Sequence, residues 1–149
     1  MTDFRIHPIT EPGVDPVAMR ANGGEPLRCC LRDARAQEDI VLFNYEPPLP
    51  DNPYRERGAV FTHAATCPGP DSRSSYPAAW LDRPQVLRAY DSRGWIRPAT
   101  RVHDGTDAEA QLTAVLAEPG VVEVHSRNVA YGCFMFRVTA PGDSPSMPA

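Results

Sequence analysis

Hydrophobic and polar positions along the chain mark out a series of short strands and one helix. Ile40-Val41-Leu42-Phe43 is a continuous apolar run inside Asp39–Glu46, the pattern of a strand covered on both faces. Gly58–His63, Gln85–Tyr90, Val121–Ser126 and Cys133–Thr139 are further strand-like segments. Pro26–Asp33 reads as one strand, Trp95–Val102 as another after a turn at Gly94, and Phe4–Ile6 as a short opening strand. Between Asp107 and Ala117, the residues Ala108, Leu112, Val115 and Leu116 recur at i, i+4, i+7 and i+8, which makes one apolar helical stripe. Thr106 and Glu109 have the spacing of a capping box, and Pro119-Gly120 stops the helix. Pro77 suits the first position of a short helical turn carrying Trp80 and Leu81. These elements predict an α+β fold: a mainly antiparallel β-sheet with one well-capped helix (about 107–117) and a short helical turn near 77–82.

The punctuation between elements is proline-rich. Pro47-Pro48-Leu49-Pro50-Asp51-Asn52-Pro53 must be a loop, because repeated prolines remove ladder donors, and Cys67–Ser75 is a second. A chain of 149 residues fits a single core, since two halves would each struggle to bury enough apolar surface. The expected organisation is one globular domain over 1–139, with a loop-rich lead-in over 1–25 and a flexible tail over 140–149. No internal repeat is visible.

Charge and composition narrow the function. The formal net charge of −4 argues against nucleic-acid or membrane-surface binding driven by bulk electrostatics. All 15 basic residues are arginine. Without lysine there is no side-chain Schiff base, so lysine-bound pyridoxal phosphate and lysine-imine aldolase chemistry are excluded. The Walker A lysine is absent for the same reason, and no G-x-G-x-x-G, G-x-S-x-G or H-E-x-x-H motif occurs. The start lacks a basic-then-apolar leader pattern, and no apolar run reaches bilayer length. The four cysteines, Cys29, Cys30, Cys67 and Cys133, have no disulfide-framework spacing. These features point to a cytoplasmic protein with reduced thiols.

Candidate chemistry concentrates in His125–Cys133. If the last two strands pair as a hairpin, His125 ends one and Cys133 begins the other, and a thiol beside an imidazole can serve as a nucleophile or an acid/base pair. Asn128 would orient the imidazole or donate to an oxyanion, and Tyr45 adds a phenol. The ordinary alternative is a packed structural thiol with local loop hydrogen bonds. Tyr54 and Arg55 frame the proline-rich loop; Arg55 is suited to clamp a carboxylate or phosphate, or else to pair with Glu46, Asp51 or Glu56 and pin the loop. For a metal, His63 and Cys67 are separated by three residues, with His125 and Cys133 as further donors, but no spacing matches a zinc knuckle or ribbon. Adjacent Cys29 and Cys30 in a strand would point to opposite faces and chelate poorly. His7 and His103 read as surface residues. No metal ligands and no cofactor are therefore expected.

Several ordered blocks are similar to the bacterial domain-of-unknown-function 1203 family. They are Gly24-Glu25-Pro26-Leu27-Arg28-Cys29-Cys30-Leu31-Arg32-Asp33-Ala34, Ile40–Glu46, Asn52-Pro53-Tyr54-Arg55, Gly58-Ala59-Val60-Phe61, Leu87–Asp91, and Val124–Asn128 with Gly132-Cys133-Phe134. The resemblance covers about residues 20–138 and departs from the family pattern at Arg127 and in Cys67–Ser75. It implies an intracellular bacterial protein and supplies no catalytic assignments. The leading expectation is a cofactor-independent enzyme on a small polar or anionic metabolite, of isomerase, cyclase, lyase or hydrolase type. His125, Cys133 and Tyr45 would be catalytic, and Arg55, Tyr54 and Asn128 would bind substrate. The alternatives are a non-catalytic small-molecule-binding or protein-interaction module and, third, a metal-binding protein.

Overall fold

The structure, a computed structural model, describes residues 4–141; most of the expected tail over 140–149 lies outside them. Ten strands form two five-stranded sheets. The strands are β1 Arg5–His7, β2 Val17–Arg20, β3 Pro26–Leu27, β4 Arg32–Asp33, β5 Asp39–Tyr45, β6 Gly58–His63, β7 Gln85–Tyr90, β8 Arg101–His103, β9 Glu123–Asn128 and β10 Phe134–Thr139. The first sheet runs β1-β10-β9-β7-β8 and is antiparallel throughout. The second runs β2-β5-β6-β3-β4, with a single parallel pairing in which Leu27 of β3 lies beside Phe61 of β6. One helix, α1 Ala108–Leu116, and a 3-10 turn, Ala78–Trp80, complete the α+β fold. No helix among the described residues is long and apolar enough to cross a membrane.

The first sheet buries one apolar face against α1. Leu87, Ala89, Val124, Phe136 and Val138 meet Leu112, Val115 and Leu116, with Trp80 and Tyr76 closing the cluster. The alternation of a strand supplies this face, and a bulge adjusts it. Phe134 pairs with Arg127 but Phe136 with Ser126, so the register slips at Met135. Phe136 consequently joins the helix-side core while Phe134 packs with Ile9, Val41, Phe43 and Val60 of the second sheet. An extra residue in one strand re-aims its neighbours in this way. The opposite face of the second sheet carries Leu27, Ile40 and Cys29, with Phe61, Cys30 and Cys67 packed alongside. β5 is thus covered on both faces, as its apolar run predicts.

Five expectations differ from the structure, the first being Trp95–Val102, where only Arg101–His103 forms a strand and residues 97–100 turn. Pro26–Asp33 is a tight hairpin, β3–β4, rather than one strand: Leu31 N–H donates to Leu27 O at 2.9 Å, and Leu31 takes a positive φ of 60°. The loop-rich lead-in contains β2, an exposed edge strand whose pattern lacks the alternation that would signal it. The helix has no side-chain cap. Asp107, in the left-handed region, precedes it, and Glu109 instead accepts from Tyr76 N–H at 2.7 Å. A tertiary partner displaced the local capping box. Finally, His7 and His103 are buried, within reach of Thr139 Oγ1 (2.7 Å) and the Tyr76 hydroxyl (3.3 Å).

Candidate metal centre

The β3–β4 hairpin that replaces the expected strand builds the most chemically organised site in the molecule. Its loop, Arg28–Leu31, is held to β6 by Arg28 N–H donating to Phe61 O at 2.8 Å and to the N-terminal segment by Ile9 N–H donating to Arg28 O at 3.0 Å. In a turn, consecutive side chains need not diverge as they do in a strand. The Cys29 and Cys30 sulfurs lie 3.6 and 3.8 Å from His63 Nδ1 at the end of β6. Cys67, on the loop after β6, brings a third thiol. The four ligand atoms of Cys29, Cys30, His63 and Cys67 lie within 4.8 Å of one another.

Each donor is oriented. His63 Nε2 lies 2.9 Å from Glu38 Oε2, and Arg32 forks onto both oxygens of Glu38 at 3.0 Å each. Arg35 N–H adds a third contact to Glu38 at 2.6 Å. Arg32 first, then the Arg35 N–H, hold the Glu38 carboxyl well below the usual carboxylate range. Arg32 Nη2 also approaches Nε2, at 3.3 Å. The shorter Glu38 contact assigns the imidazole proton to Nε2 and turns the Nδ1 lone pair toward the thiols. His63 N–H also donates to Cys29 Sγ at 3.3 Å.

The thiols themselves share charge. The Cys29 thiol is pulled down to about 5, chiefly by the hydrogen bond from Cys30, against burial and helped by the His63 backbone N–H. Cys30 is pushed up as the donor in that pair, and Cys67 is pushed up by burial although the Gly69 N–H points at it. Three sulfurs and one imidazole nitrogen within 4.8 Å of one another are a donor set of the kind zinc takes. Bonds of about 2.3 Å to sulfur and about 2.0 Å to nitrogen put ligand atoms about 3.5–3.8 Å apart. Three thiolates holding a divalent ion would leave one negative charge, and Arg32 lies where it would offset it. The carboxylate–histidine pairing is the arrangement that fixes an imidazole ligand's tautomer and ring plane.

Of the donors considered for a metal, His63 and Cys67 lie in this cluster and His125 and Cys133 do not; the residues expected to catalyse or bind substrate lie elsewhere and in three places. β9 and β10 do pair, but His125 stands opposite Arg137, while Cys133 is level with Asn128, whose N–H donates to Cys133 O at 3.0 Å. Three residues of strand, about 10 Å, separate imidazole from thiol. His125 is fully buried, 2.6 Å from Glu123 Oε2 and flanked by Tyr90 and Phe134. Tyr45 packs at a tilt against Phe134, with ring centroids 5.3 Å apart, and burial pushes its hydroxyl up. Asn128 Oδ1 accepts from Cys133 N–H at 3.1 Å, and both residues line a cleft beside the β9–β10 turn. Arg55 pairs with Glu46 and with Asp51, so it pins its own loop. Tyr54 rests edge-on against Trp95.

The sequence reading missed Cys29 and Cys30 because a strand was assigned where the chain turns. The signals available were the adjacent pair Cys29-Cys30 and the His63–Cys67 pair followed by Pro68-Gly69.

A two-sheet α+β domain with a Cys3His cluster at one sheet end is thus the class of protein defined by fold and site. Residues 24–140 match the family described as protein of unknown function (DUF1203), and the chain belongs to it. No curated protein and no solved structure matches the chain.

Proposed function

We propose that this protein is a metal-binding domain that holds one zinc ion through Cys29, Cys30, His63 and Cys67. The observation that carries the reading is the convergence of four donors from three separate chain segments within 4.8 Å, with the histidine's second nitrogen already engaged by Glu38. Thiolate-rich tetrahedral sets select zinc or iron over hard cations, and four protein ligands describe a closed, structural site without an open position for substrate. The ion would tie the β3–β4 hairpin, the end of β6 and the 64–75 loop together. Reduced thiols of this kind fit a cytoplasmic location in a bacterium.

The test is elemental analysis of protein purified without chelator, followed by replacement with cobalt(II). One equivalent of zinc, and a cobalt spectrum with tetrahedral d–d bands and thiolate charge transfer, are expected. Both should disappear in Cys30→Ser and His63→Ala. Fully reduced protein that carries no stoichiometric metal and gives no such cobalt spectrum would overturn the reading.

A further inference from the structure

A cleft of about 880 Å³ opens where the β9–β10 turn and the start of β7 meet the second sheet. Its walls are largely apolar: Leu42, Ala59 and Phe61 from one side, Pro84, Val129 and Met135 from the other. Cavities of this size that combine apolar walls with a few fixed polar groups are the usual form of small-molecule sites.

The polar groups in this cleft are mostly donors. Arg28 lines it, with Nε donating to Phe134 O at 2.7 Å and Nη1 to Pro26 O at 2.6 Å. These carbonyls fix the guanidinium without neutralising it, and no carboxylate lies within ion-pairing distance of Arg28 among the described residues. Arg28 is itself buried, so its charge is held largely out of water. Gln85 is fully buried and lines the same cleft; its Oε1 accepts from Ser126, while its Nε2 has no hydrogen-bond partner. A buried amide donor left alone is costly, so its persistence calls for an acceptor. Asn128 Nδ2 reaches only the Met135 sulfur, at 3.7 Å.

The other charged groups in the wall are already committed. Arg83 forks onto Asp33, and Glu25 directs its oxygens to the N–H groups of Asn22 and Gly23 at 2.8 and 2.9 Å. That leaves Arg28 as a cation without a direct ion pair, with two amide donors above an apolar floor, while the Glu25 carboxylate keeps its charge elsewhere in the wall.

We infer that this cleft binds a small monocarboxylic acid, with Arg28 and the Gln85 and Asn128 amides receiving the carboxylate and Leu42, Phe61 and Met135 covering its apolar body. One cation matches one negative charge better than the double charge of a phosphate ester, and an apolar floor disfavours a sugar. The inference stands apart from the metal reading, although the two sites share the β3–β4 loop: Arg28 faces the cleft and its neighbour Cys29 the metal cluster.

The experiment uses the full chain and two matched pairs of probes, octanoate with 1-octanol and phenylacetate with 2-phenylethanol, with inorganic phosphate as a third anion. Binding is followed by amide chemical shifts and by the rate at which Cys133, on the cleft wall, is alkylated, read by peptide mass mapping. At least one carboxylate should shift resonances around residues 22–28 and 128–133, slow Cys133 alkylation, and bind ten-fold or more tightly than its alcohol. Arg28→Gln should remove most of that preference. Should Arg28→Gln not fold, Asn128→Leu and the wild-type acid-to-alcohol ratio still decide the matter. Equal binding of acid and alcohol, stronger binding of phosphate, or no saturable binding of either acid would overturn the inference.

Discussion

Two histidines in this domain sit in nearly the same polar frame and have different fates. His63 is backed by Glu38, which is gripped by Arg32; His125 is backed by Glu123, which is gripped by Arg137 at 3.0 and 3.2 Å. In both, Nε2 meets a carboxylate oxygen. The difference lies at the other nitrogen. His63 Nδ1 faces two thiols, whereas His125 Nδ1 is buried without a hydrogen-bond partner, its ring packed 4.5 Å from the Tyr90 centroid. An arginine–glutamate–histidine chain orients an imidazole; what the free nitrogen faces decides whether it can ligate or only pack. The partner of an imidazole, rather than its burial or its carboxylate, marks the site.

The strongest way to break this comparison is to strip the proposed zinc ion. For an ion present at about a thousand times its dissociation constant, the linked stabilisation is about 4 kcal/mol, so chelation should lower the melting temperature by roughly 8–16 °C in a domain of this size. Cys30→Ser should reproduce the loss and make the protein insensitive to chelator, as read by calorimetry with and without EDTA. At the second histidine, His125→Leu leaves Glu123 buried with Arg137 alone and should cost about 2–3 kcal/mol in urea titration. Metal content should stay at one equivalent. If it falls, the two histidines are not independent and the contrast fails.

The same pair separates by acidity. Burial, the largest influence, holds His125 below the usual histidine range, against the Glu123 carboxylate and with the Arg137 and Arg127 guanidiniums reinforcing it. Because its folded value is depressed, the unfolded chain takes up the proton first. Stability is therefore complete above about pH 6.5 and declines as pH falls below that unfolded value. Glu123 is also held low: burial opposes this, but His125 and Arg137 outweigh it, so its contribution is lost at still lower pH. His125→Gln should flatten the stability profile between about pH 7 and pH 5, measured at constant ionic strength.

Smaller effects sharpen the picture. Glu38→Gln keeps the shape of the residue behind His63 but loses its charge. Metal affinity should fall by about 10- to 100-fold, measured by competition with a chromophoric chelator, while the cobalt spectrum keeps its tetrahedral form. Arg55→Ala should change stability by no more than about 1 kcal/mol and leave metal content untouched, because its exposed pairing with Glu46 and Asp51 only fastens a surface loop.

Much of the fold was legible along the chain. Asp39–Tyr45, Gly58–His63 and Gln85–Tyr90 fall where apolar runs and turn residues place them, and the stripe Ala108, Leu112, Val115, Leu116 is buried as its spacing requires. β2 was not legible because it is an exposed edge strand held by ladder bonds to β5 rather than by a buried face. The Cys3His cluster was illegible for a related reason. A hairpin loop whose last residue, Leu31, must adopt a left-handed conformation carries no glycine to announce it, so Cys29 and Cys30 read as strand residues.

What the sequence by itself determined is local or compositional. Strand and helix positions follow from the periodicity with which side chains meet a single face, and the absence of lysine removes whole classes of chemistry wherever the chain folds. Only the tertiary structure decided which polar groups meet. Cys29 and His63 are 34 positions apart, and Arg28 and Phe134 are 106 apart. A parallel β3–β6 contact and a bulge at Met135 bring these groups together. Periodicity reports the face a residue occupies, but a binding site depends on what approaches that face from distant parts of the chain, and that is settled by packing.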